Sequence, residues 1–129
     1  MPFIPDADIE DSEILFRAIH PSHWDEDEER PTSAAFKDRQ GVSVDRDGER
    51  STEDCLSFLL NNRNSYGACS IKADLVNTIG AYAKKDQKSE NIFHALILKK
   101  KKKIHLSNGK ARALSKAADI HVKPVPEKP

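Results

Sequence analysis

Short apolar runs and alternating positions along the chain predict a small sheet. Four segments have the pattern of strands: ILFRAI (14–19), GVSVD (41–45), ACSIKA (68–73) and IFHALIL (92–98). Apolar and polar residues alternate in GVSVD, so Ser43 and Asp45 are expected on one face of its strand. The nearly continuous apolar run at 92–98 is expected to be central, and weaker strands are expected at 81–84 and at the edge at 120–123.

Two segments have apolar residues at helical spacing, and each follows a capping residue. Ser51 or Thr52 caps the first, which runs to about Asn62, and Ser107 or Asn108 starts the second. Four or five strands and two main helices in mixed order predict an α+β fold: a compact single domain with a small mixed or antiparallel sheet.

The length of 129 residues predicts one domain. We place it at residues 13–124, between a flexible acidic tail at 1–12 and a flexible tail at 125–129. No apolar stretch approaches the roughly 20 residues that span a bilayer, and the N-terminus has no signal-peptide pattern, which predicts a cytoplasmic protein. Cys55 and Cys69 are too few for a disulfide framework and are expected to be small core residues.

A net charge of zero hides two halves of opposite sign. Residues 1–50 contain 14 acidic and 6 basic residues, whereas residues 51–129 contain 7 acidic and 15 basic residues. This separation is typical of a protein with a basic face for nucleic acid, although the two halves can also neutralise each other within the fold. The residues expected to contact nucleic acid are Lys99, Lys100, Lys101, Lys102, Lys103, Lys110, Arg112 and Lys116.

The lysine run has two interpretations. It can contact phosphates without reading sequence, and few aromatic residues are available for base stacking, so sequence-specific recognition is not expected. Alternatively, the lysines are a solvated hairpin that protects a sheet edge from aggregation. A protein partner or a larger complex is a further possible partner, and no membrane partner is expected.

His20 and His23 raise the question of a metal site. They lie three residues apart beside Asp25 and Glu26, and such residues can hold a divalent cation. The spacing is not specific, and no third nitrogen or sulfur ligand is near in the sequence. We therefore expect neither a metal nor a cofactor, and interpret the segment as a turn that pairs its charges.

Polar residues within apolar strands are the best indication of a functional site. Arg17 interrupts ILFRAI and His94 interrupts IFHALIL, so each needs a hydrogen-bond partner or must face a cleft. If their strands are neighbours of GVSVD, the polar side chains converge on one patch that suits metal-free acid–base chemistry on a phosphodiester or a nucleotide. A buried structural network would contain the same residue types. The candidate catalytic residues are Arg17, His20, Ser43, Asp45 and His94.

The segments LFRAIHPSHW, RPTSAAFK, GVSVDR and FHALI with the following lysines resemble a family of small, mostly uncharacterised bacterial proteins. The resemblance covers roughly residues 14–124 and implies the signature positions Arg17, His20, Ser33, Phe36, Ser43, Asp45 and His94. A looser similarity links the chain to ADP-ribosyltransferase-like and RES-type toxin domains, which use NAD and often a glutamate. Here the only late glutamate before the C-terminal tail, Glu90, lies in the loop KDQKSE and not on a predicted strand.

Three functions remain open at this point. The first is a small accessory protein, of a bacterial defence or mobile-element system, whose basic C-terminal half contacts nucleic acid or a larger complex. The second is a metal-independent enzyme acting on nucleic acid or a nucleotide, either RNase-like or an NAD-dependent ADP-ribosyltransferase-like toxin. The third is a stable domain whose partner surface the sequence does not reveal.

Overall fold

Strands and short helices alternate in the computed structural model, which describes residues 9–37, 41–99 and 106–125. The strands are β1 (Ile14–Ile19), β2 (Trp24–Asp25), β3 (Arg30–Pro31), β4 (Val42–Arg46), β5 (Gly67–Lys72), β6 (Tyr82–Lys85), β7 (His94–Leu98) and β8 (Asp119–Val122). The helices are α1 (Thr52–Leu59), α2 (Ala73–Thr78) and α3 (Asn108–Ala117), with 3-10 helices at Pro21–His23 and Ser33–Phe36. This mixture confirms the predicted combination of helices and strands.

Six strands form one antiparallel sheet in the order β6-β7-β4-β1-β5-β8, and β2 and β3 form a separate pair. The predicted sheet of four or five strands is therefore too small, because the weak strands β6 and β8 both join it at its edges. β7 is an interior strand between β6 and β4, while β4 and β1 occupy the middle. Apolar composition indicates that a strand is largely buried, and it does not indicate the position of the strand in the sheet order.

The two faces of the sheet are covered differently. One face packs against α3 and the 3-10 helix at 33–36, and forms the larger core; its buried members include Leu15, Phe36, Val44, Ala95, Ile97 and Leu114. In the described part of the chain, α1 covers the other face over β1 and β5, through a smaller cluster of Phe16, Cys55, Leu59 and Ala68. Beside this cluster, the second face of β4 and β7 carries polar side chains.

Both predicted helix caps are present. The Ser51 Oγ accepts a hydrogen bond from the Asp54 N–H (3.1 Å), and the Ser107 Oγ accepts one from the Lys110 N–H (3.2 Å). The first helix ends at Leu59 rather than at Asn62, which has a left-handed φ of 62°. A residue in that conformation cannot continue a right-handed helix.

The described residues before β1 contact the domain. Ile9 packs in the larger core, and the Asn77 Nδ2 donates a hydrogen bond to the Asp11 Oδ1 (2.7 Å). Cys55 and Cys69 are buried free thiols, which confirms their prediction as core residues. Among the described residues, no helix has the length and apolar character required to cross a membrane.

Candidate functional site

A cavity of about 590 Å³ opens on the polar part of the sheet, beside the C-terminal end of α1. It is lined by all five residues predicted as catalytic: Arg17, His20, Ser43, Asp45 and His94. They come from β1, from the turn after it, from β4 and from β7. The convergence expected from the sequence is therefore present in the fold.

The strand register explains why three of these side chains meet. Asp45 on β4 is directly opposite His94 on β7, and opposite residues of an antiparallel pair project to the same face. Ser43 lies two residues earlier on β4 and shares that face, as its alternation with valines predicted. Tertiary pairing of β4 with β7 thus places a hydroxyl, a carboxylate and an imidazole side by side.

Arg17 reaches the same cavity by a different route. β1 and β4 pair through Leu15–Arg46 and Phe16–Asp45. Beyond this pairing, the Arg17 Nη1 donates to the Ser43 main-chain oxygen (2.7 Å) and its Nε donates to the Ala35 main-chain oxygen (2.6 Å). These two hydrogen bonds tie the sheet to the 3-10 helix at 33–36.

Asp45 is held by a neighbouring amide. Its side chain is buried, and its Oδ1 accepts a hydrogen bond from the Asn91 Nδ2 (2.8 Å). The Asn91 Oδ1 in turn accepts from the Phe93 N–H (3.0 Å). Asn91 is thereby fixed at both ends of its amide, and it orients the Asp45 carboxylate at the cavity wall.

His94 has its tautomer set by Asp86. The His94 Nδ1 lies 3.0 Å from the Asp86 Oδ2 and 3.1 Å from the Asp86 main-chain oxygen. Both oxygens are acceptors, so Nδ1 must carry the hydrogen and the neutral ring has its lone pair on Nε2. An imidazole in this tautomer can accept a proton at Nε2 while the Asp86 carboxylate stabilises the resulting cation.

Asp86 itself was not among the predicted site residues. It follows β6, and its N–H donates to the His94 main-chain oxygen (2.9 Å), so the β6–β7 hairpin places it across from His94. The signal in the sequence was an aspartate directly after a weak strand, eight residues before a histidine in the next one. This spacing predicts a contact between Asp86 and His94 only when the register of the β6–β7 hairpin is known.

His20 has the opposite tautomer. Its Nδ1 accepts a hydrogen bond from the Ser22 N–H (3.0 Å), and the Ser22 Oγ is 2.8 Å away from the same nitrogen. The neutral ring therefore carries its hydrogen on Nε2. Its plane meets the Tyr66 ring edge-on at a centroid distance of 5.1 Å. In the neutral rings, the His20 Nε2 is thus a hydrogen-bond donor and the His94 Nε2 is an acceptor.

Cationic groups dominate the wall near His20. Partial burial, the neighbouring His20 ring and the Arg17 guanidinium together lower the pKa of His23 below its ordinary value of 6.5. Arg63 also lines the cavity; its Nη1 donates to the Leu59 main-chain oxygen (3.1 Å) and its guanidinium lies 5.7 Å from the Tyr66 ring centroid. Sequence reasoning missed Arg63, which lies in a turn with no periodic pattern.

No cluster of three or more histidine, cysteine, aspartate or glutamate residues that suits a metal ion occurs in the described part of the chain. In the segment considered for a metal, the Asp25 Oδ1 accepts hydrogen bonds from the N–H groups of Asp27 and Glu28, at 3.0 and 3.1 Å. This carboxylate shapes its own turn. The cysteines are also no candidates for nucleophiles, because burial raises the pKa of Cys69 to about 12 and also raises that of Cys55.

The predicted basic surface is only partly within the described residues. Lys100 to Lys103 lie outside them. Lys110 has a structural contact, since its Nζ donates to the main-chain oxygens of Gly80 (2.6 Å) and Lys99 (3.3 Å). Arg112 and Lys116 are exposed on α3, which packs on the opposite face of the sheet from the cavity. Binding of nucleic acid by these residues stays a prediction.

The structure also shows where Glu90 and the signature residue Phe36 lie. Glu90 lies in the β6–β7 loop as expected, yet it lines the cavity with Arg17 and Ser43, and a hydrogen bond from Ser89 lowers the pKa of its carboxyl group. The signature residue Phe36 is buried in the larger core instead, with the Arg17 guanidinium 6.0 Å from its ring centroid. Phe36 therefore supports the residue that reaches the cavity.

The chain matches no protein-family model, no curated protein and no solved structure in comparisons with each. The resemblance to a bacterial family and to ADP-ribosyltransferase-like and RES-type domains therefore stays a prediction. Function has to be inferred from the chemistry of the cavity.

Proposed function

We propose that the protein is a metal-independent enzyme that binds a phosphorylated nucleotide unit in the cavity and cleaves a phosphodiester bond by acid–base catalysis. One observation carries this proposal: His94 and His20 line the same cavity, and each has its Nδ1 in a hydrogen bond with a neighbouring residue. A proton acceptor and a proton donor are the two groups that such a cleavage requires. His94 is the acceptor in its neutral form, and His20 is the donor as the imidazolium.

The basic part of the cavity wall suits a phosphate group. Arg17, Arg63 and His23 line it together with the two catalytic histidines. Guanidinium groups stabilise phosphate oxygens and the negative charge that develops on them in the transition state. A bound anion would also oppose the effect of Arg17 and His20 on His23, and would raise the pKa of His23 from its lowered value.

RNA is the phosphodiester that fits best, because its 2′-hydroxyl supplies the nucleophile. In the proposed step the His94 Nε2 takes the 2′-O–H proton as the 2′-oxygen bonds to phosphorus. The P–O5′ bond breaks, and the leaving 5′-oxygen takes a proton from the Nε2 of the His20 imidazolium. His20 then becomes a neutral ring whose Nδ1–H donates to the Ser22 Oγ. The products are a 2′,3′-cyclic phosphate and a 5′-hydroxyl, and the reaction needs no oxidant or metal.

The accessory-protein hypothesis has less specific support. It depends on the basic half of the chain, where Lys110 is occupied by a structural contact and Arg112 and Lys116 are the exposed basic residues of α3. As part of the proposal, these residues give RNA a sequence-independent attraction to the protein. A bacterial cytoplasmic setting, as in a defence system or a toxin, belongs to the same proposal.

The test is cleavage of end-labelled single-stranded RNA by the purified protein in the presence of a chelator. We expect a cyclic-phosphate product, and no cleavage of DNA of the same sequence, which lacks the 2′-hydroxyl. His94→Gln and His20→Gln should each lower the rate by about 100-fold or more, in the range of general acid–base catalysis. The wild-type rate should show a bell-shaped dependence on pH.

His121→Gln is the matched control. His121 is an exposed histidine whose Nε2 lies 2.7 Å from the Ser70 Oγ, and it does not line the cavity. This variant should cleave at the wild-type rate. Cleavage that requires an added divalent metal, or that survives both cavity substitutions, would refute the acid–base proposal. An unchanged melting temperature in the cavity variants is required to exclude misfolding.

A second function has its own supporting observation, the position of Glu90 in the cavity with Arg17 and Ser43. These residue types suit ADP-ribosyl transfer from NAD. The bond between C1′ of the ribose and the nicotinamide nitrogen breaks, and nicotinamide leaves with the electron pair. An acceptor hydroxyl or water bonds to C1′ and gives its proton to the Glu90 carboxylate, while Arg17 contacts the pyrophosphate.

Release of nicotinamide from NAD distinguishes this second function from the first. Glu90→Gln should abolish release if the protein is a transferase, whereas Glu28→Gln, on an exposed turn away from the cavity, should not. RNA cleavage without nicotinamide release would reject the transferase.

A further inference from the structure

Phe58 is an aromatic residue whose exposure is unexplained by packing. It lies on α1 with 46% of its surface exposed, and it lines the cavity. Its neighbours on the helix, Cys55 and Leu59, are buried in the smaller core. Phe58 therefore contributes little to the core and presents an aromatic ring at the wall of the cavity.

The Phe58 ring is backed by a guanidinium that the main chain holds in place. The Arg50 Nε donates to the Asp47 main-chain oxygen (3.0 Å), and its Nη2 donates to the Arg46 main-chain oxygen (2.8 Å). The guanidinium carbon of Arg50 lies 5.6 Å from the centroid of the Phe58 ring. A cation at this distance is attracted to the ring.

The same guanidinium stacks on a second aromatic ring. It lies 3.7 Å from the centroid of the Phe93 ring. The main-chain N–H of Phe93 donates to Asn91, which lines the cavity. The turn accommodates this ring because residue 48 is glycine: a Cβ there would be 2.2 Å from the Phe93 Cε1. Phe93, Arg50 and Phe58 thus form a connected set of flat groups, and Phe58 is its member at the cavity.

We propose that Phe58 is a stacking subsite for a nucleobase, and that it selects nucleotides over other phosphate esters. This inference rests on the proposed function, since the phosphate of the same ligand would lie at Arg17 and Arg63. The cavity, at about 590 Å³, is within the range of pockets that enclose small ligands. Stacking on an aromatic side chain is a general mode of binding unpaired bases.

The subsite should accept all four bases with little preference. Reading a base edge requires polar groups that are not already bonded. Two amides lie in the wall. Asn91 donates one Nδ2 hydrogen to Asp45 and accepts at Oδ1 from the Phe93 N–H, and Asn61 is exposed in the turn after α1. Stacking, which uses the π-face that every base has, then provides most of the affinity for the base.

The experiment measures dissociation constants by NMR titration for three ligands: ribose 5-phosphate, adenosine and AMP. AMP should bind about 5- to 150-fold more tightly than ribose 5-phosphate, the range expected from stacking of one base. Phe58→Ala should reduce this ratio to about 1 and abolish binding of adenosine, while the affinity for ribose 5-phosphate stays the same. Phe58→Tyr, which keeps the ring, should keep the ratio.

Ile92→Ala is the matched control, because Ile92 is an apolar residue of similar exposure (56%) outside the cavity wall. It should leave all three constants unchanged. If ribose 5-phosphate binds and AMP binds no more tightly, the subsite is refuted and the proposed phosphate site stands. If adenosine binds through Phe58 but ribose 5-phosphate does not bind, the subsite stands and the phosphate site fails. Absence of binding by all three overturns both.

Discussion

Replacing Arg17 with lysine tests how the cavity wall is held together. The guanidinium of Arg17 donates to two main-chain oxygens, those of Ala35 (2.6 Å) and Ser43 (2.7 Å), and so joins the 3-10 helix to β4. Lysine keeps the positive charge, but its single nitrogen cannot reproduce the planar fork of arginine. Arg17→Lys should therefore lose one of these two connections without removing the charge.

The expected loss is about 2 kcal/mol in the free energy of unfolding, since hydrogen bonds to charged groups contribute about 1.5 to 3 kcal/mol. For a domain of this size, each kcal/mol of lost stability lowers the melting temperature by about 4 °C, so the melting temperature should fall by about 8 °C. The buried Ala35 favours the upper part of the range, because its main-chain oxygen would be left without this donor.

Urea denaturation followed by tryptophan fluorescence is a suitable assay. Trp24 is the only tryptophan, and it packs against the larger core, so its emission reports global unfolding. Arg112→Lys, on the exposed side of α3, is the matched control and should change stability by less than about 0.5 kcal/mol. Equal midpoints for Arg17→Lys and the wild type would refute the structural role assigned to the two hydrogen bonds.

Three further predictions concern other parts of the site. Asp86→Asn should lower the cleavage rate by about 10- to 150-fold, since the His94 imidazolium loses a charge-assisted hydrogen bond worth about 1.5 to 3 kcal/mol; single-turnover kinetics measure this. His23 should destabilise the fold in acid, because its pKa is lower in the folded state than its ordinary value of 6.5. As the pH drops below about 6.5, the unfolded chain takes up a proton at His23 before the folded protein does, so the free energy of unfolding falls. Gly48→Ala should destabilise the fold by more than about 1 kcal/mol in thermal unfolding, because residue 48 has a φ of 55° and its new Cβ would clash with Phe93.

Each of these predictions has a result that contradicts it. Asp86→Asn at the wild-type rate would show that the Asp86 carboxylate does not stabilise the His94 imidazolium during the reaction. The predicted contribution of His23 to acid destabilisation is wrong if His23→Gln loses as much stability between pH 7 and pH 5 as the wild type does. For Gly48→Ala, a melting temperature equal to that of the wild type would mean that the turn and the Phe93 ring adjust without cost.

The positions of secondary structure followed from local patterns. The alternation in GVSVD placed Ser43 and Asp45 on one face, and serines before the two main helices proved to be their caps. Polar residues within apolar strands identified Arg17 and His94 as unusual, because a buried polar group needs a partner. These inferences depend on neighbours within a few residues, so one sequence contains enough information for them.

The assembly of the cavity depended on tertiary structure. Periodicity does not say which strands pair, and only the order β7-β4-β1 brings His94, Asp45 and Arg17 to one place. The tautomer of His94 is set by Asp86 across a hairpin, and Arg63 and Phe58 reach the cavity from the end of α1. The sequence by itself thus determined the elements and the unusual polar residues. The contacts among them were decided by tertiary pairing, because residues far apart in the chain become neighbours only when the sheet packs against its helices.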